Sequence, residues 1–296
     1  MLEFRDIDIS DKDRINSALK KSLFMGCEYC FANNMAWKRL SDTKISFYKD
    51  FYISCAFKTG DGIPSFTFPS GYGSYKDLIS ELKRFTDNMG VPLRFTGVTD
   101  ALLPVFDELY EGRFICENNR DDSDYIYNSE DLITLPGKKY HQKRNHLARF
   151  HELDYTYSLI TENDIDDCIT FLVHTYNAKT SDNEQSFIAE QYAINTFFTY
   201  FRELDLCGGI IRIDGEPAAV TLGEGGFGDV FYVHIEKADT QFSGIYAGIN
   251  NLFAKQSAEK YKYINREEDL GIEGLRKSKL SYKPAFLLNK YTVTFK

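Results

Sequence analysis

The side chains of this sequence that could do chemistry fall into one carboxylate run and two cation clusters. Arg266, Glu267, Glu268 and Asp269, with Glu273 close behind, follow the segment 261–265 with its Tyr-x-Tyr-Ile pattern. That segment reads as a strand, and in open α/β sheets ligands gather at the carboxyl ends of strands. A carboxylate from Glu267, Glu268 or Asp269 placed there could hold an ammonium group or take a proton from a nucleophile. Arg276 and Lys279 are three residues apart, so a helix puts both on one face, where they can address one phosphate or carboxylate together. Lys139, Lys143 and Arg144 belong to a second basic stretch, 138–149, and could supply the opposite wall of the same site. Tyr140 and Tyr282 accompany the two clusters. The competing explanation is a solvated acidic loop paired with Arg276 and Lys277, because charge runs are most often that.

Those groups need a folded frame, and the composition supplies one. A hydrophobic share of 43% with 20 Tyr and 24 Phe excludes disorder. At 296 residues the chain is long enough for two cores, since a single core stops growing near ~250–300 residues. A net charge of −9 tells against nucleic-acid binding by the whole surface, and no specific DNA binding is expected. No apolar run approaches the ~18–20 residues of a membrane-spanning helix, and Met1 to Asp6 lacks the features of a signal peptide. A cytoplasmic protein is the expectation. Cys27, Cys30, Cys55, Cys116, Cys168 and Cys207 form neither a disulfide framework nor a metal pattern and read as reduced thiols. His141, His146 and His151 are five apart, which turns ~140° per step on a helix and spreads them over different faces. No metal is expected.

Along the chain, 12–22 and 30–38 read as short amphipathic helices and 45–57 as a strand. A turn at Asp61-Gly62-Ile63-Pro64 precedes a strand at 65–69 and a glycine break at Gly71-Tyr72-Gly73. The helix that follows carries Leu78, Ile79, Leu82 and Phe85 on one face. A strand at 92–96, a helix at 102–110 and two strands across 113–135 complete the first half. The second half repeats this order. Asp214-Gly215-Glu216-Pro217 matches the earlier turn, Gly244-Ile245-Tyr246 opens a helix as Gly73-Ser74-Tyr75 does, and 262–271 falls ungapped on 91–100. The stretch from turn to helix is longer in the second copy and leaves room for one extra strand, 229–236. Strands interleaved with helices predict an α/β (α+β) architecture. Its parts are a first domain at residues 1–136, a linking helix at 137–152 and a second domain at 153–296, with a mixed sheet in each domain.

Two segments, Leu135-Pro136-Gly137-Lys138-Lys139-Tyr140 through Phe150 and Tyr263-Ile264-Asn265-Arg266-Glu267-Glu268-Asp269 through Pro284, resemble signatures of a known family. It is the family of the phosphatidylglycerol lysyltransferase C-terminal domain and its soluble relatives. With the domain plan, the resemblance covers nearly the whole chain. It implies a tandem repeat of two acyltransferase (GNAT/Nat-like) domains. For the synthases it implies transfer of an aminoacyl group from tRNA to a lipid hydroxyl, without a metal. The part matched best is Gly274-Leu275-Arg276-x-x-Lys279-x-x-Tyr282-x-Pro284, similar to the basic segment near the end of those enzymes. The chain departs from them in its acidic balance, in having no membrane-spanning segment, and in Glu267-Glu268-Asp269, which is similar to the soluble relatives.

Acyltransferases commonly mark a carrier site by Gln/Arg-x-x-Gly-x-Gly/Ala, since glycine lets backbone N–H groups approach a pyrophosphate at a helix N-terminus. The counterpart here is Gln241-Phe242-Ser243-Gly244-Ile245-Tyr246. Tyr246 at the small-residue position would crowd a pyrophosphate, so acyl-coenzyme A is not the favoured carrier and no cofactor is required. A plain helix start without ligand is the alternative, because Gly-x-Tyr occurs in both copies. The expectation is therefore an acyl- or aminoacyl-transferase moving its group from aminoacyl-tRNA or acyl-coenzyme A to an amine or hydroxyl. Glu267, Glu268 or Asp269 would act on the nucleophile. Arg276, Lys279, Tyr282, Lys139, Lys143, Arg144, Gln241 and Gly244 would hold the anionic donor. The alternative is a noncatalytic protein that binds an anionic small ligand in the same groove.

Overall fold

A computed structural model describes residues 2–110, 112–177 and 184–296. The chain divides into two compact units: unit 1 is Met1–Asp124 with Leu288–Lys296, and unit 2 is Tyr125–Leu287. The first segment of unit 1 contains β1 (Thr43–Tyr48), β2 (Phe51–Ala56), β3 (Ser65–Ser70), β4 (Arg94–Val98) and β5 (Phe114–Asn118). The chain passes into unit 2 along β6 (Asp124–Asn128) and continues through β7 (Thr156–Leu159), β8 (Cys207–Ile213), β9 (Glu216–Gly225), β10 (Val230–Ala238), β11 (Tyr263–Asn265) and β12 (Phe286–Leu288). It then returns to unit 1 for β13 (Tyr291–Phe295).

The six-stranded sheet of unit 1 has the order β1-β2-β3-β4-β13-β5, and the seven-stranded sheet of unit 2 has the order β12-β6-β11-β10-β9-β8-β7. β3 runs parallel to β4 and β10 parallel to β11, whereas pairs such as β1·β2 and β8·β9 are antiparallel. Both sheets are mixed, as expected.

The boundaries differ from those expected at 136 and 152. β6 pairs with β11, Ile126 facing Asn265, and so belongs to unit 2. β13 inserts between β4 and β5 and so returns the C-terminal segment to unit 1. Hydrogen bonding across a sheet decides such membership, and sequence order does not. The helix His141–Phe150 is no free linker: it lies inside unit 2, where Phe150 packs with Ile245 and Ile249 of the helix Ile245–Ser257. Two smaller differences are local. The expected strand 45–57 is a hairpin, with Tyr48 opposite Phe51 and Lys49 at φ 52 in the tight turn. Within 113–135 the last stretch is the helix Ser129–Thr134, not strand.

Local sequence explains the repeated helices. Tyr75–Met89 starts at Ser74, whose side chain accepts the Asp77 N–H, and stops at Gly90 with φ 72. Its apolar face, Leu78, Ile79 and Leu82, is buried against Phe66, Phe68 and Phe95 in the unit 1 core. Helices Leu103–Tyr110 and Glu273–Ser281 occupy equivalent places in the two copies.

Candidate active site

Strand β10 carries Tyr232, His234 and Glu236, and it pairs with β11 only over Val230–Tyr232. Past Asn265 the chain stays with β6 instead: the Arg266 N–H donates to Tyr125 O at 3.1 Å and the Tyr125 N–H to Glu267 O at 3.2 Å. The parallel pair therefore stops at the carboxyl end of β11, the place where α/β sheets collect ligands. On its other side β10 is irregular. Val233 faces Gly223 and Ile235 faces Leu222, which makes His234 the extra residue of a β-bulge.

A charged cluster occupies this end of unit 2. Arg266 donates from Nη2 to Glu236 Oε1 at 2.6 Å, and Asn250, on the helix Ile245–Ser257, donates to Glu236 Oε2 at 2.9 Å. The Arg266 and Glu236 side chains are 10% and 9% exposed, so the pair is all but removed from water. The guanidinium lies 4.9 Å from the ring centroid of Tyr282 and 5.7 Å from that of Tyr127. The Lys143 ammonium lies 3.5 Å from the Tyr282 centroid. Two polar atoms in the cluster are buried without a hydrogen-bond partner among the described residues: Arg266 Nη1 and Asn250 Oδ1. One is a donor and the other an acceptor, and both side chains already bind the same carboxylate.

His234 forms a second group. Its Nδ1 lies 2.8 Å from Glu267 Oε1 and its Nε2 3.1 Å from Glu224 Oε1, while the ring stacks on Phe197 at 5.3 Å. Burial by itself would lower its pKa, but the hydrogen bonds its ring donates to the Glu224 and Glu267 carboxylates outweigh that and raise it to about 9. The two carboxylates thus favour the imidazolium form of His234. Glu267 stands at φ 58, held there also by its N–H donating to Asn265 Oδ1 at 2.7 Å.

The other residues expected at the site go to several places. Asp269 is fully buried and turned inward. It accepts from Arg276 at 2.7 and 2.9 Å, from the Tyr125 hydroxyl at 2.5 Å and from the Gly271 N–H at 2.9 Å. Its pKa is held well below the carboxylate range, chiefly by Arg276. Lys279 is buried with its ammonium on the carbonyl oxygens of Arg266, Glu267 and Glu268 at 2.5, 3.2 and 2.5 Å. Arg276 and Lys279 therefore clasp the loop 266–269 rather than jointly facing an open anion site. Glu268 gives its backbone carbonyl to Lys279. Arg144 donates to the carbonyls of Leu135 and Gly137. Lys139 is exposed and paired with Asp131 at 3.2 Å. Gln241 is exposed and bonds Asp239. Gly244, at φ 83, starts the helix Ile245–Ser257, and a Cβ there would overlap the His146 carbonyl oxygen. Close approach of the 141–150 helix, rather than room for a ligand, accounts for this glycine.

Of the expected cations, then, Lys143 joins Tyr282 at the cluster. Glu236, Asn250, His234 and Glu224 were not foreseen. Their signal was available as polar residues where burial predicts apolar ones: His234 and Glu236 alternate inside the apolar strand Val230–Ala238, and Asn250-Asn251 interrupts an otherwise apolar helix face.

Two mixed sheets in this element order define a tandem acyltransferase fold. A tandem GNAT protein from the clavulanic acid biosynthesis pathway shares it at a TM-score of 0.53 and 11% identity, over 99% of this chain and 98% of that one. Residues 20–294 match the family described as phosphatidylglycerol lysyltransferase, C-terminal, and the chain belongs to that family. It is similar to a conserved protein of unknown function from Bacteroides thetaiotaomicron VPI-5482, at 36% identity and a TM-score of 0.94 over 100% of both chains. L-PGS from Bacillus licheniformis has the same fold at a TM-score of 0.69 and 16% identity, over 97% of this chain and 92% of that one. Among the described residues no helix is long and apolar enough to cross a membrane.

Proposed function

We propose that the chain is an acyl- or aminoacyl-transferase whose reacting groups meet at the Arg266–Glu236–Asn250 cluster. The observation that supports this is the unmet hydrogen-bonding capacity of Arg266 Nη1 and Asn250 Oδ1. Leaving a buried charged donor unpaired costs more than the ~1–3 kcal/mol of a neutral group, so such an atom calls for a partner. A carbonyl oxygen fits Arg266, and an N–H or O–H fits Asn250. An acyl centre under attack by an amine or hydroxyl offers that pair: the oxygen that becomes negative and the nucleophile that carries a proton. Catalysis would rest on positioning and on a donor aimed at the developing charge.

Membership of a lysyltransferase family favours an aminoacyl group; a charged-tRNA donor and a cytoplasmic location are part of the same proposal. Coenzyme A is the less favoured carrier, since the 141–150 helix occupies the space beside Gly244. The test is to offer the purified protein charged tRNA and acyl-coenzyme A thioesters with a panel of amines and hydroxyl compounds. Transfer that falls at least ~100-fold in Arg266→Met supports the reading. No transfer to any acceptor, together with a ligand that copurifies unchanged, would make the protein a noncatalytic binder.

A further inference from the structure

Lys143 differs from Lys139 and Arg144 in having no oxygen partner among the described residues. Lys139 and Arg144 are engaged by Asp131 and by backbone carbonyls. Lys143 makes no hydrogen bond or ion pair with another described residue; its ammonium rests on the face of Tyr282. The charged groups that face it come from three elements. They are Arg266 from the loop after β11, Glu236 from β10, and Lys283 beyond the helix Glu273–Ser281. The carboxylate among them is already bound by Arg266 and Asn250. The face of Tyr282 and the Glu236 charge favour the ammonium form, whereas partial burial and the two neighbouring cations, Arg266 and Lys283, oppose it. Burial first, and then the charge of Arg266, bring its pKa down to about 8.

Resting on the transferase reading above, we propose that Lys143 is the catalytic base of the transfer, while Arg266 holds the carbonyl oxygen. In the step, the lone pair of the acceptor nitrogen or oxygen forms the new bond to the acyl carbon, and the acceptor's proton passes to Lys143 Nζ. The carbonyl π pair moves onto oxygen, where Arg266 Nη1–H donates to it. When the carbonyl re-forms, the bond from carbon to the carrier oxygen breaks, and that oxygen takes the proton back from Lys143. The amine is restored and no external acid or base is consumed. Lys143 and Arg266 lie 3.5 and 4.9 Å from the centroid of the buried Tyr282 ring, so base and oxyanion donor are held beside one side chain.

Two measurements test the proposal and separate its failure from that of the transferase reading. Competitive labelling of all lysines with a trace acylating reagent, followed across pH by peptide mass spectrometry, needs no substrate. Lys143 is expected to titrate near pH 8, well below the ordinary lysine value of ~10.4, and Arg266→Met is expected to move it upward. If Lys143 titrates with the bulk lysines, the proposal is overturned whether or not transfer is seen. In the transfer assay, Lys143→Met should lower kcat by roughly 10²–10⁴-fold with KM little changed and remove the rate limb near pH 8. Lys143→Arg should not rescue it, since a guanidinium does not deprotonate in proteins. A Lys143→Met protein that keeps its kcat places the base elsewhere. A midpoint near 8 with no transfer of any kind overturns the transferase reading, and the catalytic role of Lys143 with it.

Discussion

Lys290 reaches Asp124 at 2.7 Å inside unit 1, with the two residues only 7% and 0% exposed. Asp124 closes the first segment of that unit, and Lys290 belongs to the segment that returns to it. The same ammonium lies 2.9 Å from Glu28, and the second Asp124 oxygen accepts the Cys27 N–H at 2.8 Å. The returning strand β13 is thus tied by charge to the body it rejoins. Removing one side of a buried pair leaves a desolvated charge, at a cost of about 3–5 kcal/mol. Lys290→Met should therefore lower the thermal midpoint by roughly 6–20 °C, at ~2–4 °C per kcal/mol. A midpoint equal to that of the parent would show that the pair contributes nothing to holding β13.

His234 should make stability depend on pH. Its folded pKa of about 9 lies above the ordinary 6.5. The contribution is accordingly complete below pH 6.5 and is lost as pH rises through 9. The full effect is on the order of 3 kcal/mol. Urea unfolding at several pH values between 6 and 9.5 should show this decline, and His234→Gln should flatten it. An unchanged slope in the variant would mean that other groups carry the dependence.

Arg276 and Lys279 are expected to act on stability before they act on any ligand. Lys279→Met takes the donor away from three carbonyls, and Arg276→Ala leaves the buried Asp269 carboxylate short of its main partner. Each should cost about 2–4 kcal/mol. Calorimetric melting, with binding of any copurifying ligand measured per folded molecule, separates the roles. Unchanged melting with weakened binding would return both residues to the anion-holding role expected from their spacing.

Gly244→Ala should destabilise unit 2, since the residue stands at φ 83 and its Cβ would overlap the His146 carbonyl oxygen. The backbone conformation alone costs about 1–2 kcal/mol for a residue with a Cβ. Calorimetry should detect no binding of acetyl-coenzyme A to the parent. Micromolar binding that disappears in Gly244→Ala would establish a pyrophosphate site at this helix start and overturn the preference for another carrier.

The site was partly legible in advance. Lys143 and Tyr282 stood out as a cation and an aromatic residue within long family signatures, and the structure brings them together. Asp269, Arg276 and Lys279 stood out equally, yet they are one another's scaffold: the carboxylate takes the arginine, and the ammonium takes the loop carbonyls. Composition cannot distinguish a charge waiting for a ligand from a charge already satisfied.

The sequence by itself determined most of the element order, the doubled plan and the family, though not the hairpin at 43–56 or the helix Ser129–Thr134. Apolar periodicity, capping residues and turn glycines act within a few positions, so they can be read where they stand. Only the tertiary structure decided where the two bodies divide, because β6 and β13 join their sheets through hydrogen bonds to strands far away in the chain. It also decided which charges keep capacity to spare. Arg266 meets Glu236 from 30 positions away, and Tyr125 meets Asp269 from 144. A buried charge is defined by such distant partners, since in low dielectric it is the arrangement around it that determines whether it is paired, shifted or left with a hydrogen bond to give.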